Sequence, residues 1–174
     1  APFELTREIV RRFNYLYNRE VFPEPQAVFS KAKVLPGIDG RKMSKSYGNT
    51  IPFGAGPEEM WERIRMMTTD PQRIKKTDPG HPEVCIVYAF HKVFNPEEYE
   101  EIGARCSAGE IGCVECKKRL AEKMNALLAD IHTKREELSK KPEYIKEVLD
   151  YGAQRARKEA EKTMAEVKTA MNVL

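Results

Sequence analysis

Gly40-Arg41-Lys42-Met43-Ser44-Lys45-Ser46-Tyr47-Gly48-Asn49 is the stretch on which the reading of this chain turns. It sets three cations and two serines between two glycines, with no apolar periodicity, and therefore reads as an exposed loop. Gly40 and Gly48 can take φ > 0 and let the backbone approach a ligand closely. Lys42 and Lys45 are mobile point charges suited to phosphate oxygens, and Ser44, Ser46 and the backbone N–H groups can donate hydrogen bonds to the same oxygens. On composition alone the stretch also reads as a solvated basic loop, because short lysine-rich loops are common.

Moving outward, Pro36 and Pro52 bracket the loop, and Gly54, Gly56 and Pro57 close the non-helical region. Upstream, Leu5, Ile9, Phe13, Leu16 and Tyr17 fall at helical spacing and predict an amphipathic helix over 4–18, ended before Pro23 and Pro25. Residues 31–35 are mostly loop, with room for a brief strand. Downstream, Pro57 suits a first helical turn and Glu58 and Glu59 suit its dipole, which predicts a helix to about Met67. Asp70-Pro71 and the run from Thr77 to Pro82 are turn signals. The apolar run from Val84 to Phe94 reads as a buried helix by its length, and Pro96-Glu97-Glu98 opens a shorter one toward Arg105. Leu120, Met124, Leu127, Leu128 and Ile131 mark one face of a long helix. Ile145, Leu149, Met164, Val167 and Met171 mark another after Pro142. The fold class expected is mainly α.

Composition narrows the function. The net charge of +3 says little about nucleic acid by itself. Its distribution says more. Residues 1–50 hold 9 Lys+Arg against 5 Asp+Glu, a net of +4, and the remainder holds 21 against 22. The basic bias lies around the loop, which argues against a general nucleic-acid coat protein and allows a phosphate site with local RNA contacts. No apolar run is long enough for a bilayer and no leader pattern is present. The start Ala1-Pro2-Phe3 fits an excised fragment or a processed terminus.

Cys85, Cys106, Cys113 and Cys116 follow the spacing C-x20-C-x6-C-x2-C. Without a secretion signal they point to a reducing compartment, where metal binding or buried thiols are expected rather than disulfides. Cys113 and Cys116 open a helix, where the dipole favours thiolate. Iron–sulfur clusters and zinc both suit thiolate ligands, and small buried side chains remain the bland alternative. The histidines are read as structural or solvated: His81 in a turn, His91 on the apolar helix, His132 on a charged helix. Trp61 reads as packing.

Lys42-Met43-Ser44-Lys45-Ser46 is identical to the KMSKS signature of class I aminoacyl-tRNA synthetases. The wider run Gly37-Ile38-Asp39-Gly40-Arg41 and Tyr47-Gly48-Asn49-Thr50-Ile51 resembles the tryptophanyl-tRNA synthetases, as do Met66-Met67-Thr68-Thr69-Asp70-Pro71 and Glu4-Leu5-Thr6-Arg7-Glu8. The resemblance implies a helical, bundle-like anticodon-binding domain over 57–174, preceded over 1–56 by the C-terminal remnant of a Rossmann-type catalytic domain. It implies a cytoplasmic, homodimeric enzyme that activates tryptophan with Mg²⁺-ATP and transfers it to tRNA(Trp). Lys42 and Lys45 would then stabilise charge moving onto the pyrophosphate, with Met43, Ser44 and Ser46 shaping the loop and holding nucleotide. The resemblance also implies a 4Fe–4S cluster on Cys85, Cys106, Cys113 and Cys116, since some bacterial members carry one in this part of the chain. Arg105, Lys117, Lys118 and Arg119 are the cations nearest that turn and the expected RNA contacts.

One part of the family pattern is missing. No HIGH-like signature occurs and no alternating βαβ pattern is present to carry it. The chain therefore reads as a C-terminal portion, inactive alone in forming tryptophanyl-adenylate. A stand-alone helical RNA-binding module ordered by metal, and a purely structural helical fragment, are the alternatives from other classes. Tyrosyl-tRNA synthetase is the nearest competitor within the class.

Overall fold

The computed structural model describes residues 2–29 and 34–173. Six α-helices make up most of them: α1 (Pro2–Leu16), α2 (Pro57–Arg65), α3 (Ile86–Phe94), α4 (Tyr99–Ser107), α5 (Cys113–Ser139) and α6 (Pro142–Met171). Short 3₁₀ turns occur at Lys45–Tyr47 and Pro82–Val84, and no strand occurs among the described residues. The mainly α expectation is met. The brief strand expected at 31–35 falls largely outside the described residues.

The helix ends follow local chemistry. Gly56 caps α2, Pro57 takes a first-turn position that needs no N–H donor, and Glu58 and Glu59 lie at the positive end of the dipole. α3 starts two residues later than the apolar run because Pro82 opens a separate 3₁₀ turn that delivers Cys85 as the cap. α1 stops at Leu16, short of the expected end, where Asn18 adopts φ 48° and reverses the chain. α4 starts at Tyr99, with Glu98 as its cap.

Among the described residues, those within 1–30 and 140–174 form one unit and those within 31–139 the other. In the first unit, the segment after α1 folds back on it. Asn14 donates to the Phe22 carbonyl at 2.9 Å and accepts from the Val21 and Phe22 N–H groups, while Phe13 meets Phe22 edge-on at 5.0 Å. Arg11 forks onto Glu24 through both Nε and Nη2.

The second unit holds the main core. α2 and α3 pack against α5, and α4 packs against α3. Met60, Ile64, Met67, Val87, Phe90, Leu120, Ala121, Met124 and Leu128 are buried together there. Ile38, from the stretch just before the lysine loop, joins the same cluster. The compositional break at 56/57 coincides with the start of α2 and lies inside this unit. Loop and helices thus share one apolar interior, and Trp61 packs against it as the sequence reading expects.

Candidate functional site

The lysine loop is built on a tight reversal. Pro36 and Lys42 form an isolated antiparallel bridge, the Gly37 N–H donates to the Arg41 carbonyl at 2.8 Å, and Gly40 turns the chain at φ 82°. Lys45, Ser46 and Tyr47 form one 3₁₀ turn, closed by Gly48 at φ 62°. Both glycines of the sequence argument therefore sit in the left-handed region that disfavours a Cβ.

The loop divides its side chains between interior and solvent. Met43 packs against the core, while Lys42, Lys45 and Ser46 are exposed and Ser44 is half-buried. The Arg41 guanidinium lies over the Tyr47 ring at 4.6 Å and pairs with Asp39 at 2.7 Å. Arg63 of α2 donates to the Gly48 carbonyl at 2.9 Å, which ties the end of the loop to the helix. Asn49 is buried beneath the loop and makes side-chain hydrogen bonds to Asp39, Lys42 and Ser44. Its amide N–H, the strongest influence on Asp39, holds that carboxyl below the usual range, and Arg41 acts in the same direction. The arrangement presents two free ammonium groups and hydroxyl and N–H donors on a framed turn, which is suited to a polyphosphate.

Sequence reasoning singles out the exposed loop residues and passes over their support. Asp39, Asn49 and Arg63 carry no charge pattern or periodicity that marks them. The available signal is that Asn and Asp in Gly-rich turns hydrogen-bond neighbouring backbone.

The four cysteines are all free thiols, half-buried in the second unit. Cys85 precedes α3, Cys106 lies near the end of α4, and Cys113 and Cys116 open α5. Burial, together with the charges of Cys85, Cys106 and Cys113, pushes the Cys116 thiol up to about 12. Cys106 is raised chiefly by burial, and the Arg73 guanidinium, 3.6 Å from its sulfur, acts against the rise. Among the described residues, no three His, Cys, Asp or Glu side chains are arranged to hold a metal ion. A zinc ion bonds each sulfur at about 2.3 Å and would draw its ligands tightly together. The donor set here is four thiols, with the Arg73 guanidinium 3.6 Å from the Cys106 sulfur.

The remaining sequence candidates have defined partners. His91 is fully buried, with Nε2 3.1 Å from the Cys116 carbonyl oxygen and Nδ1 3.3 Å from the Asn95 amide. Burial lowers its pKa. His81 meets Asp70 at 2.8 Å, and His132 meets the Phe53 carbonyl at 2.9 Å. All three fit the structural reading. Of the cations expected to contact RNA, Lys117 donates to the Arg65 and Met67 carbonyls at 2.7 Å each, capping the end of α2. Arg105 lies 3.7 Å and Arg119 3.6 Å from Glu115. Lys118 remains exposed on an open cavity of about 630 Å³ with Arg73, Lys75, Lys76 and Cys113.

Comparison with known proteins extends these local observations to the whole chain. A family model described as tRNA synthetases class I (W and Y) matches residues 1–129. The tryptophan–tRNA ligase of Aquifex aeolicus is 47% identical over 172 residues, covering 98% of this chain and 43% of the relative. That of Thermotoga maritima is 47% identical over 173 residues, covering 98% of this chain and 52% of the relative. The crystal structure of tryptophanyl-tRNA synthetase from Campylobacter jejuni complexed with ADP and tryptophan superposes with a TM-score of 0.76 at 32% identity. It covers 98% of this chain and 53% of that one. The chain spans about half the length of the relatives it matches.

Proposed function

Because the chain belongs to the class I tRNA synthetases for tryptophan and tyrosine, we propose that it is the C-terminal portion of a tryptophan–tRNA ligase. One observation carries the reading: an intact KMSKS string lies on a framed loop with both lysines exposed. It does so in a chain 47% identical to ligases of that name along 98% of its length.

In the full-length enzyme the tryptophan carboxylate attacks the α-phosphorus of Mg²⁺-ATP, the bond to the pyrophosphate breaks, and negative charge moves onto the leaving group. Lys42 and Lys45 meet that charge, while Ser44, Ser46 and the loop N–H groups orient the phosphates. Met43 anchors the loop to the core, so the cations are held on a fixed base. The aminoacyl group then passes to tRNA(Trp), whose anticodon end is bound by the helical part. On this reading residues 1–56 close the catalytic domain and 57–174 form the tRNA-binding domain of a cytoplasmic homodimer. No helix among the described residues is long and apolar enough to cross a membrane.

The cysteine group belongs to the same proposal. Cys85, Cys106, Cys113 and Cys116 hold a 4Fe–4S cluster that ties the α3 and α4 ends to the start of α5. The all-thiol donor set at the ends of three helices and the cation beside Cys106 support it. The cluster would supply structural bonds, since metal–thiolate binding energy becomes folding energy. Iron and sulfide assays with an absorption spectrum on anaerobically purified protein test this. Protein free of iron and sulfide after such purification and attempted reconstitution rejects it.

The decisive test of the main reading is tryptophan-dependent pyrophosphate exchange. This chain alone is expected to show none. In the full-length enzyme, Lys45→Ala is expected to slow adenylate formation by about 10²–10³-fold, the scale of one lost transition-state donor. An unchanged rate removes the loop from the reaction.

A further inference from the structure

Asn49 is only 2% exposed, although Gly48 beside it is open to solvent. Both of its side-chain donors and its acceptor oxygen are engaged. Nδ2 donates to Asp39 Oδ1 at 2.8 Å and to the Lys42 carbonyl at 3.1 Å, and Oδ1 accepts the Ser44 N–H at 2.8 Å. Its own carbonyl accepts the N–H of Ile38 at 3.0 Å, and Ile38 is a member of the core. A single residue thus clasps the backbone on both sides of Met43 and links it to the interior.

The surroundings are shaped around that amide. A Cβ on Gly37 would lie 2.2 Å from Asn49 Nδ2 and 2.4 Å from its Cγ, so only glycine leaves the amide its place. The Asp39 carboxylate that receives it is itself held by the Arg41 guanidinium. An aspartate at position 49 would lose both donors and face the Asp39 carboxylate, so the chemistry of the pocket demands an amide.

We propose that Asn49 is a positioning residue for Lys42 and Lys45: its amide holds the peptide groups of Lys42 and Ser44 in the geometry from which the two ammonium groups reach the phosphates. The inference rests on the reading of the loop as the ATP-phosphate site. Ligand binding then does not have to create the hydrogen bonds that fix the backbone around Met43.

The test uses the full-length ligase of which this chain is proposed to be part, with Asn49→Ala, Asp39→Ala and Lys45→Ala compared. Asn49→Ala is expected to slow adenylate formation on the order of 10²-fold, the scale on which misplacement of a reacting group acts. The KM for tryptophan should stay unchanged. Amide hydrogen exchange supplies the second readout. Protection of the Ser44 N–H is lost in Asn49→Ala, whereas protection of Ile38, bonded to the position-49 main-chain carbonyl, persists. Asp39→Ala removes one acceptor and gives a smaller loss of rate in the same direction; it carries the test if Asn49→Ala does not fold. A wild-type rate in the folded variants overturns the inference, as does a rate loss accompanied by an equal loss of tryptophan binding. If Lys45→Ala also leaves the rate unchanged, the ATP-site reading has failed. If Lys45→Ala slows the reaction and the Asn49 and Asp39 variants do not, only the role of Asn49 has failed.

Discussion

The lysine loop and the cysteine-bearing turn solve opposite problems on one core. The loop keeps its working groups in water and buries their support: Lys42 and Lys45 are exposed, while Asn49, Ile38 and Met43 lie inward. The cysteine region draws its reactive atoms partly inside, and burial raises Cys106 and Cys116. Lys42 and Lys45 stay solvated and reachable, and the order of their backbone is supplied from beneath. A thiol drawn into the interior is kept protonated and unreactive, because burial disfavours the thiolate. The two regions also differ in reach along the chain. The loop's framework is closed mainly within residues 36–49, whereas the cysteines come from the ends of α3, α4 and α5.

The strongest way to break this comparison is to damage the core both regions share. Phe90 is 1% exposed in the same cluster as Ile38, with Cys85 and Cys116 packed against it. Phe90→Ala is expected to cost about 3–5 kcal/mol. In urea, loss of Ser44 amide protection and gain of Cys116 thiol reactivity should occur in one transition. Two separate transitions would mean the regions do not depend on a common interior.

A sharper probe is Lys117, which sequence reasoning assigns to RNA and the structure assigns to the end of α2. Burial lowers its pKa, and its ammonium serves two backbone carbonyls. Lys117→Met keeps the apolar stem and should reduce stability by about 1.5–3 kcal/mol, the scale of charged hydrogen bonds. A urea midpoint equal to wild type would mean that these two hydrogen bonds add no stability.

Smaller effects are expected within the loop. Gly48 has φ 62° and nothing within 4 Å of where a Cβ would stand, so only backbone strain opposes a side chain there. Gly48→Ala should cost about 1 kcal/mol, and Gly48→Asn less, because Asn tolerates the left-handed region. Paired thermal melts decide it; equal melting temperatures for all three proteins would show that the turn relaxes freely.

The last effect vanishes near neutrality and develops only in acid. His91 is buried with its folded pKa below the ordinary 6.5, so the unfolded chain takes up the proton first. Stability from this group is complete above the unfolded pKa and declines as pH falls from about 6.5 through the lower folded value. His91→Gln should flatten that part of the pH–stability curve. An unaltered slope would mean that another group sets it.

The legibility of the chain follows the distance over which each feature is specified. α2 is readable from Gly56-Pro57-Glu58-Glu59, because cap, ring and dipole act within one turn. The start of α3 is displaced because Pro82 commits three residues to a 3₁₀ turn, which an apolar run does not reveal. The reactive lysines are legible because their charges and the flanking glycines are contiguous. Asn49 is not, since a buried amide and a solvated one look alike in a string of letters.

The sequence by itself determined the helical class, the positive-φ turns at Gly40 and Gly48, and the exposed, cationic character of the loop. Each of these depends on side-chain chemistry and backbone sterics within a few residues. The tertiary structure alone decided that Ile38 roots the loop in the helical core, that Lys117 caps α2, and that Cys85 and Cys116 pack against that same core. Those outcomes depend on which apolar faces bury against each other, and burial is a property of the packed chain rather than of any local stretch.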